Sequence, residues 1–339
     1  RNLRPLAFNV SAYSIFANPK SMSASDKHKA VQQLSGLLNL NSQFIQERLS
    51  KDKYFVWLKR KLPLELVEKI RILELRGLGF RKESKRYYPN TTLAAHLIGF
   101  AGTDNQGLEG LELLYNKQLR GIPGRMQILR DARQTELLVG DIFFPAYDGF
   151  QLVLTIDETI QYIAEQALEK AYEKHNAKAA SIIVMDIRSG EILALANRPT
   201  YDLENASFGS MESRTNRAIS YMYEPGSVFK IVTATAALAE GTFVESDKIF
   251  CENGNYRIAK NILHDHHPYG ILSFREVFEK SSNIGVTKIA QKLGPDKIYE
   301  YAKQFRFGMK TGVDLNGEVQ GVLKPPRSWS KTSIGAIPI

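Results

Sequence analysis

Apolar and polar side chains alternate through residues 5–17 with the period of a half-buried strand. Ser25-Asp26 then opens a stretch to Leu38 whose apolar residues recur at helical spacing. A second helix is predicted over 64–75, because Pro63 stands where a helix begins, apolar positions repeat every three or four residues, and Gly77 and Gly79 stop the run. A third covers 108–119 and is closed by Gly121 and Pro123. Between 130 and 149 the pattern dissolves into mixed charge with a proline, and a strand over 151–156 restarts it. The domain boundary falls there, giving a first domain over 1–148 and a second over 149–339.

In the second domain Thr155 or Asp157 caps a helix over about 158–174. A hairpin follows, with strands over 180–187 and 191–197 around a turn at Arg188-Ser189-Gly190. Beyond Asn197 the pattern is one of helices and loops, with helices over 228–238, 274–280 and 284–293. Three strands are few for a mixed sheet, so the carboxyl-terminal part of this domain is expected beyond Ile339. The fold class is α+β, with a sheet flanked by helices.

At 339 residues two domains are the default, and 43% hydrophobic with 24% charged residues is globular composition. The formal charge of +9 favours an anionic partner. However, the densest basic clusters, Lys59-Arg60-Lys61 and Arg81, Lys82, Lys85 and Arg86, lack the base-reading and stacking pattern of a nucleic-acid module. They read as solvated faces, with anionic lipid as the alternative partner and nucleic acid excluded. The single cysteine, Cys251, rules out an internal disulfide and a multi-cysteine metal site. His264, Asp265, His266 and His267 are ligand types, but adjacent histidines before Pro268-Tyr269-Gly270 do not converge on one ion, and they read as a solvated loop. The chain begins at Arg1 and holds no apolar run of the roughly 18 residues that span a bilayer, so any anchor is expected upstream.

The chemistry concentrates at Tyr223-Glu224-Pro225-Gly226-Ser227-Val228-Phe229-Lys230. Pro-Gly breaks the chain, and 228–238 then reads as a buried helix almost without polar faces. Ser227 and Lys230, three apart in the first turn, share a face within contact range. Apolar surroundings and the positive end of the helix both favour the neutral amine, which can take the Ser227 proton. The bland alternative is a serine cap with a snorkelling lysine. Ser50/Lys53 and Ser328/Lys331 repeat the spacing, but in polar or Pro-rich settings that would not desolvate their lysines. Ser281-Ser282-Asn283 lies at a bend between helices, where a hydroxyl and an amide two residues apart can aim into one cleft. A cap for the next helix explains it equally well.

Ser-x-x-Lys followed by Ser-x-Asn resembles the serine penicillin-recognising enzymes, whose third motif is Lys-Thr-Gly. Lys85-Arg86-Tyr87-Tyr88-Pro89, Ala94-Ala95-His96-Leu97-Ile98-Gly99, Asn105-Gln106-Gly107-Leu108-Glu109-Gly110 and Thr155-Ile156-Asp157 are similar to segments of class B penicillin-binding proteins of the division and sporulation type. The resemblance implies an elongated pedestal over 1–148, followed over 149–339 by an incomplete transpeptidase domain of the serine β-lactamase-like fold. Its implied chemistry is peptidoglycan D,D-transpeptidation through a Ser227 acyl-enzyme, with Lys230 as base, Ser281 as proton relay and Asn283 binding the acyl peptide. No cofactor or metal is implied. The implied partners are stem peptides ending in D-Ala-D-Ala, β-lactams, a lipid II glycan polymerase and division proteins, at the outer side of the cytoplasmic membrane on a single-pass anchor. Lys310-Thr311-Gly312 sits in a setting similar to a different family loop, so the functional triplet is expected beyond Ile339 and the chain alone is expected to be a poor catalyst. The alternatives are a silent scaffold or β-lactam sensor, and a carboxypeptidase- or β-lactamase-type hydrolase.

Overall fold

The computed structural model describes residues 1–130, 136–330 and 332–339. They form two compact units, Arg1–Ala218 and Ile219–Ile339.

The first unit opens with β1 (Phe8–Ala17), α1 (Ala24–Leu38), α2 (Ser42–Leu49), β2 (Val56–Leu62), α3 (Leu64–Arg71) and β3 (Leu78–Tyr87). The strands make an antiparallel sheet in the order β2-β1-β3. Ile15, Leu34, Leu38, Ile45, Leu49, Val67 and Ile70 fill the core between sheet and helices. The cap of α1 is Ser23 rather than Ser25, because only Ser23 stands three residues before Asp26, with which it forms a reciprocal capping box. The pattern did not anticipate β3, since its run Arg81-Lys82-Glu83-Ser84-Lys85-Arg86 is polar on both faces. Charge pairing explains why such a strand is stable. Arg60 on β2 bonds Glu83 at 2.7 Å and Asp104 at 2.6 Å, Lys85 bonds Glu204 at 2.6 Å, and Arg86 bonds Glu112 at 2.6 Å. Of these basic clusters Arg60, Lys85 and Arg86 are thus ion-paired within the molecule, while Arg81 and Lys82 are exposed.

Short helices α4 (Ala95–Ile98), α5 (Gly110–Leu114) and α6 (Asn116–Leu119) follow. The single helix expected over 108–119 is two, broken at Tyr115 (φ −100°, ψ 18°), and the Asn116 side chain accepts the Gly107 N–H at 2.8 Å. Where the pattern dissolves, β4 (Arg125–Arg130) and β5 (Glu136–Phe144) pair as an antiparallel hairpin, and residues 131–135 of that stretch lie outside the described residues. The strand expected over 151–156 is extended but joins no ladder. Bonds to other parts of the chain hold it: Thr155 Oγ1 donates to the Ile192 carbonyl (2.7 Å), the Arg1 amino terminus to the Ile156 carbonyl (2.7 Å), and the Asp157 N–H to the Leu193 carbonyl (2.9 Å). Asp157 caps α7 (Glu158–Lys174), accepting the N–H groups of Thr159 and Ile160. α7 packs on the hairpin of β6 (Ala180–Met185) and β7 (Ile192–Arg198), where the buried Gln161 amide exchanges bonds with the Leu195 N–H (2.8 Å) and carbonyl (2.9 Å). Met211–Arg214 (α8) and Arg217–Ser220 (α9) lead to the second unit.

That unit begins with a 3₁₀ turn, Gly226–Phe229, running into α10 (Lys230–Ala239). Then come β8 (Lys248–Phe250), β9 (Asn255–Ile258), β10 (Asn261–His264), β11 (Ile271–Ser273), α11 (Phe274–Glu279), α12 (Asn283–Leu293), α13 (Pro295–Gln304) and α14 (Ser333–Ala336). β9 pairs with β10 and β8 with β11, both antiparallel, in strands too short to show a period in sequence. One core joins Ala237 to Val277, Ile284 and Ile289, and another joins Phe229 and Val232 to Ala290, Ile298 and Ala302. α10 is thus clamped between α12 and α13. It is buried on one side only, for Ile231 is 56% and Leu238 45% exposed, against the expectation of a buried helix.

Candidate active site

Gly226 (φ +59°) makes the bend that starts the 3₁₀ turn, and Ser227 follows on its exposed side. Lys230 begins α10 and turns the other way: the residue is 3% exposed. Burial lowers the pKa of its amine, and the Asp265 carboxylate partly opposes the shift.

The amine is held by the turn between α11 and α12. Lys230 Nζ lies 2.8 Å from the Ser281 carbonyl oxygen, 2.9 Å from Ser281 Oγ and 2.7 Å from Asn283 Oδ1. Ser281 Oγ is in turn 3.3 Å from Ser227 Oγ. Ser281 Oγ thus links Ser227 and Lys230 by hydrogen bonds.

The backbone explains why Ser281 sits there. The Ser282 N–H bonds the Val277 carbonyl (2.8 Å) and the Ser281 N–H the Phe278 carbonyl (3.1 Å), the paired bonds of a Schellman ending to α11. Such an ending needs a left-handed residue, usually glycine, and Ser281 fills it at φ +51°. Ser282 immediately caps α12 by accepting the Gly285 N–H. The Asn283 amide is oriented by two partners, since Nδ2 donates to the His264 carbonyl at 3.1 Å while Oδ1 accepts from Lys230.

Hydrogen-bond valence assigns what this cluster does when the amine is neutral. The Ser281 carbonyl and Asn283 Oδ1 can only accept, so they take the two N–H bonds. The lone pair then faces the Ser281 hydroxyl, the one partner able to donate, and Ser281 Oγ is left to accept from Ser227.

All four residues singled out in sequence, Ser227, Lys230, Ser281 and Asn283, thus come together in one cluster. The repeats of the spacing lie elsewhere. Ser50 is the exposed C-cap of α2, Ser328 is exposed in a 3₁₀ turn, and Lys331 lies outside the described residues. Lys310-Thr311-Gly312 is an exposed loop in which Glu318 accepts the Thr311 N–H and hydroxyl. His264 ends β10 instead of lying in a loop, with Nδ1 2.8 Å from Asn255 Oδ1. Asp265, grouped with the histidines in sequence, is the functional neighbour that reading missed: its carboxylate bonds Ser282 and the start of α12. Among the described residues no three His, Cys, Asp or Glu side chains gather as metal ligands.

Comparison with known proteins places the chain in a family. Residues 180–339 match the penicillin-binding protein transpeptidase domain and residues 1–154 the penicillin-binding protein dimerisation domain. The chain belongs to the class B penicillin-binding proteins. It is 35% identical to the probable peptidoglycan D,D-transpeptidase PenA of Neisseria meningitidis, over 97% of this chain and 57% of the relative. The stage V sporulation protein D of Bacillus subtilis is 33% identical (96% and 51% covered), and the peptidoglycan D,D-transpeptidase FtsI of Escherichia coli K12 is 32% identical (97% and 56%). The chain thus spans little more than half the length of these relatives. A peptidoglycan synthetase from Bifidobacterium adolescentis superposes with a TM-score of 0.71 at 26% identity, covering 98% of this chain and 65% of that one. The α+β fold, a dimerisation domain followed by a transpeptidase domain, is that of the family.

Proposed function

We propose that the protein is a serine-type peptidoglycan D,D-transpeptidase in which Ser227 is the nucleophile, Lys230 the general base, Ser281 the proton relay and Asn283 the group that binds the acyl peptide. The observation that carries this reading is the buried Lys230 amine linked to Ser227 Oγ through the Ser281 hydroxyl.

Ser227 Oγ attacks the carbonyl carbon between the last two D-alanines of a stem peptide. Its proton passes to Ser281 Oγ as the Ser281 proton passes to Lys230 Nζ. The Ser227 N–H lies in the first turn of a helix, where such groups lack an intrahelical acceptor, and serves as one donor to the developing oxyanion. Collapse breaks the C–N bond, the proton returns through Ser281 to the leaving nitrogen, and D-alanine departs. An amine of a neighbouring stem peptide then attacks the ester, loses its proton along the same path, and frees Ser227 as the cross-link forms. β-Lactams enter by the first half of this cycle and stay as the acyl-enzyme.

By family, the cross-linking belongs to septal or sporulation wall synthesis, beside a lipid II polymerase and division proteins. The enzyme would work outside the cytoplasmic membrane on an anchor; among the described residues no helix is long and apolar enough to cross a membrane. Residues 1–148 form the pedestal and 149–339 the transpeptidase domain in this reading. Incubating the full-length protein with a fluorescent penicillin tests it. Stable label lost in Ser227→Ala is the expected result, Ser227-independent or absent label removes the enzyme reading, and rapid turnover of the label points to a hydrolase.

A further inference from the structure

His264, the last residue of β10, and Asp265 after it grip three consecutive residues, Ser282, Asn283 and Ile284, at the start of α12. The His264 carbonyl accepts from Asn283 Nδ2 (3.1 Å), Asp265 Oδ2 accepts from Ser282 Oγ (2.7 Å), and Asp265 Oδ1 accepts from the Ile284 N–H (3.0 Å). The Asp265 N–H bonds the Gly254 carbonyl at 3.2 Å, which ties this segment to the residue just before β9. Lys230 holds the same turn from the other side through Ser281 and Asn283. We propose that Asp265 is the positioning residue of this site, fixing Ser281 and Asn283 against Lys230 by anchoring the residue between them and the first turn of α12.

A carboxylate suits this place for three reasons. Two oxygens are needed to accept from Ser282 Oγ and the Ile284 N–H at once. A negative charge at the start of α12 is favoured by the helix dipole. The same charge acts on Lys230 and keeps the basicity of its amine from falling as far as burial alone would drive it.

Other charged groups around α10 are engaged elsewhere. His264 faces Asn255, His266 and His267 are exposed, and Lys280 lies over the Tyr269 ring. Lys288 on α12 pairs with Glu252, and Lys297 on α13 pairs with Glu240 and Glu300. Asp265 also faces the buried Cys251 thiol, whose pKa burial raises, so that neighbour stays neutral at ordinary pH.

The proposal rests on the acyl-transfer reading, and its experiment separates the two. The rate of acylation by a fluorescent penicillin is measured against pH for the full-length protein and its Ser227→Ala, Asp265→Asn and Asp265→Ala variants, with thermal melts to establish folding. Asp265→Asn keeps the size, removes the charge and leaves one of the two acceptor oxygens. The protonated amine then loses its attraction, its pKa falls, and the rising limb of the rate profile moves to lower pH. Asp265→Ala removes the anchor, and the plateau rate falls about a hundredfold, the scale of a 1 Å misplacement. A rising limb unmoved in Asp265→Asn together with a wild-type plateau in Asp265→Ala would overturn the proposal. If Asp265→Ala does not fold, the Asp265→Asn profile decides alone, because a purely structural residue would change the melt without moving the limb. Label that persists in Ser227→Ala would instead sink the acyl-transfer reading and leave the geometry of Asp265 as it stands.

Discussion

Lys230 Nζ and Ser227 Oγ meet through one shared neighbour, the hydroxyl oxygen of Ser281, 2.9 Å from the amine and 3.3 Å from Ser227 Oγ. Removing that hydroxyl interrupts the path while leaving both ends in place. Ser281→Ala is expected to lower the acylation rate by about 10²–10⁴, the range for a lost proton-transfer group. Stopped-flow labelling measures it, and a loss under about threefold would show that the proton takes another route.

Ser281→Gly separates chemistry from stability at the same position. Glycine is at ease in the left-handed region that Ser281 occupies at φ +51°, so this variant is expected to gain about 1 kcal/mol while losing activity as the alanine variant does. Denaturant unfolding reads the first effect and labelling the second.

In the proposed mechanism the working form of Lys230 is the neutral amine. Burial lowers its pKa, so acylation should rise with pH to a plateau, with a midpoint below the ordinary lysine value of about 10.4. A midpoint at or above that value would mean that the amine is not desolvated in solution.

Gly285 tests the packing beneath the site. A Cβ there would stand 2.6 Å and 2.7 Å from the two methyl carbons of Val277, so Gly285→Ala must push the start of α12 away from α11. A loss of about 1–3 kcal/mol is expected from overpacking, with slower acylation because Asn283 rides on the same turn. A melt and a labelling rate both equal to the wild type would show that the two helices part freely.

His96 gives the first unit an acid sensitivity. Burial pushes its pKa down to about 4. An unfolded histidine, with a pKa of about 6.5, binds a proton that the folded one refuses, so stability is complete above that value and falls as pH drops toward 4. Up to about 3 kcal/mol is at stake, because each tenfold loss of proton affinity on folding is worth about 1.4 kcal/mol. Melting temperature against pH should show the decline in the wild type and a flatter curve in His96→Gln.

The site was legible where its logic is local. Ser227 and Lys230 are three residues apart at a helix start, and Ser281 and Asn283 flank a helix cap, so spacing, local context and the family resemblance together brought forward all four. Asp265 was hidden because its meaning lies in bonds to Ser282 and Ile284, across a loop and two helices, and no periodicity records such contacts. The same division runs through the fold. α7, bounded by an Asp157 cap and carrying a clear apolar stripe, was placed to the residue, whereas β3 was not seen, since its partners Arg60 and Glu204 come from distant parts of the chain. Tyr115, which divides one expected helix into α5 and α6, carries no breaker signature of its own.

The turn that ends α11 has an evolutionary edge. Mutation that only sought a sturdier molecule would drift toward glycine at position 281, and nothing in the outline of the fold would betray the change. A descendant altered in this way would still carry its Ser-x-x-Lys and would be grouped with its working cousins. Its silence would be written in one missing oxygen atom.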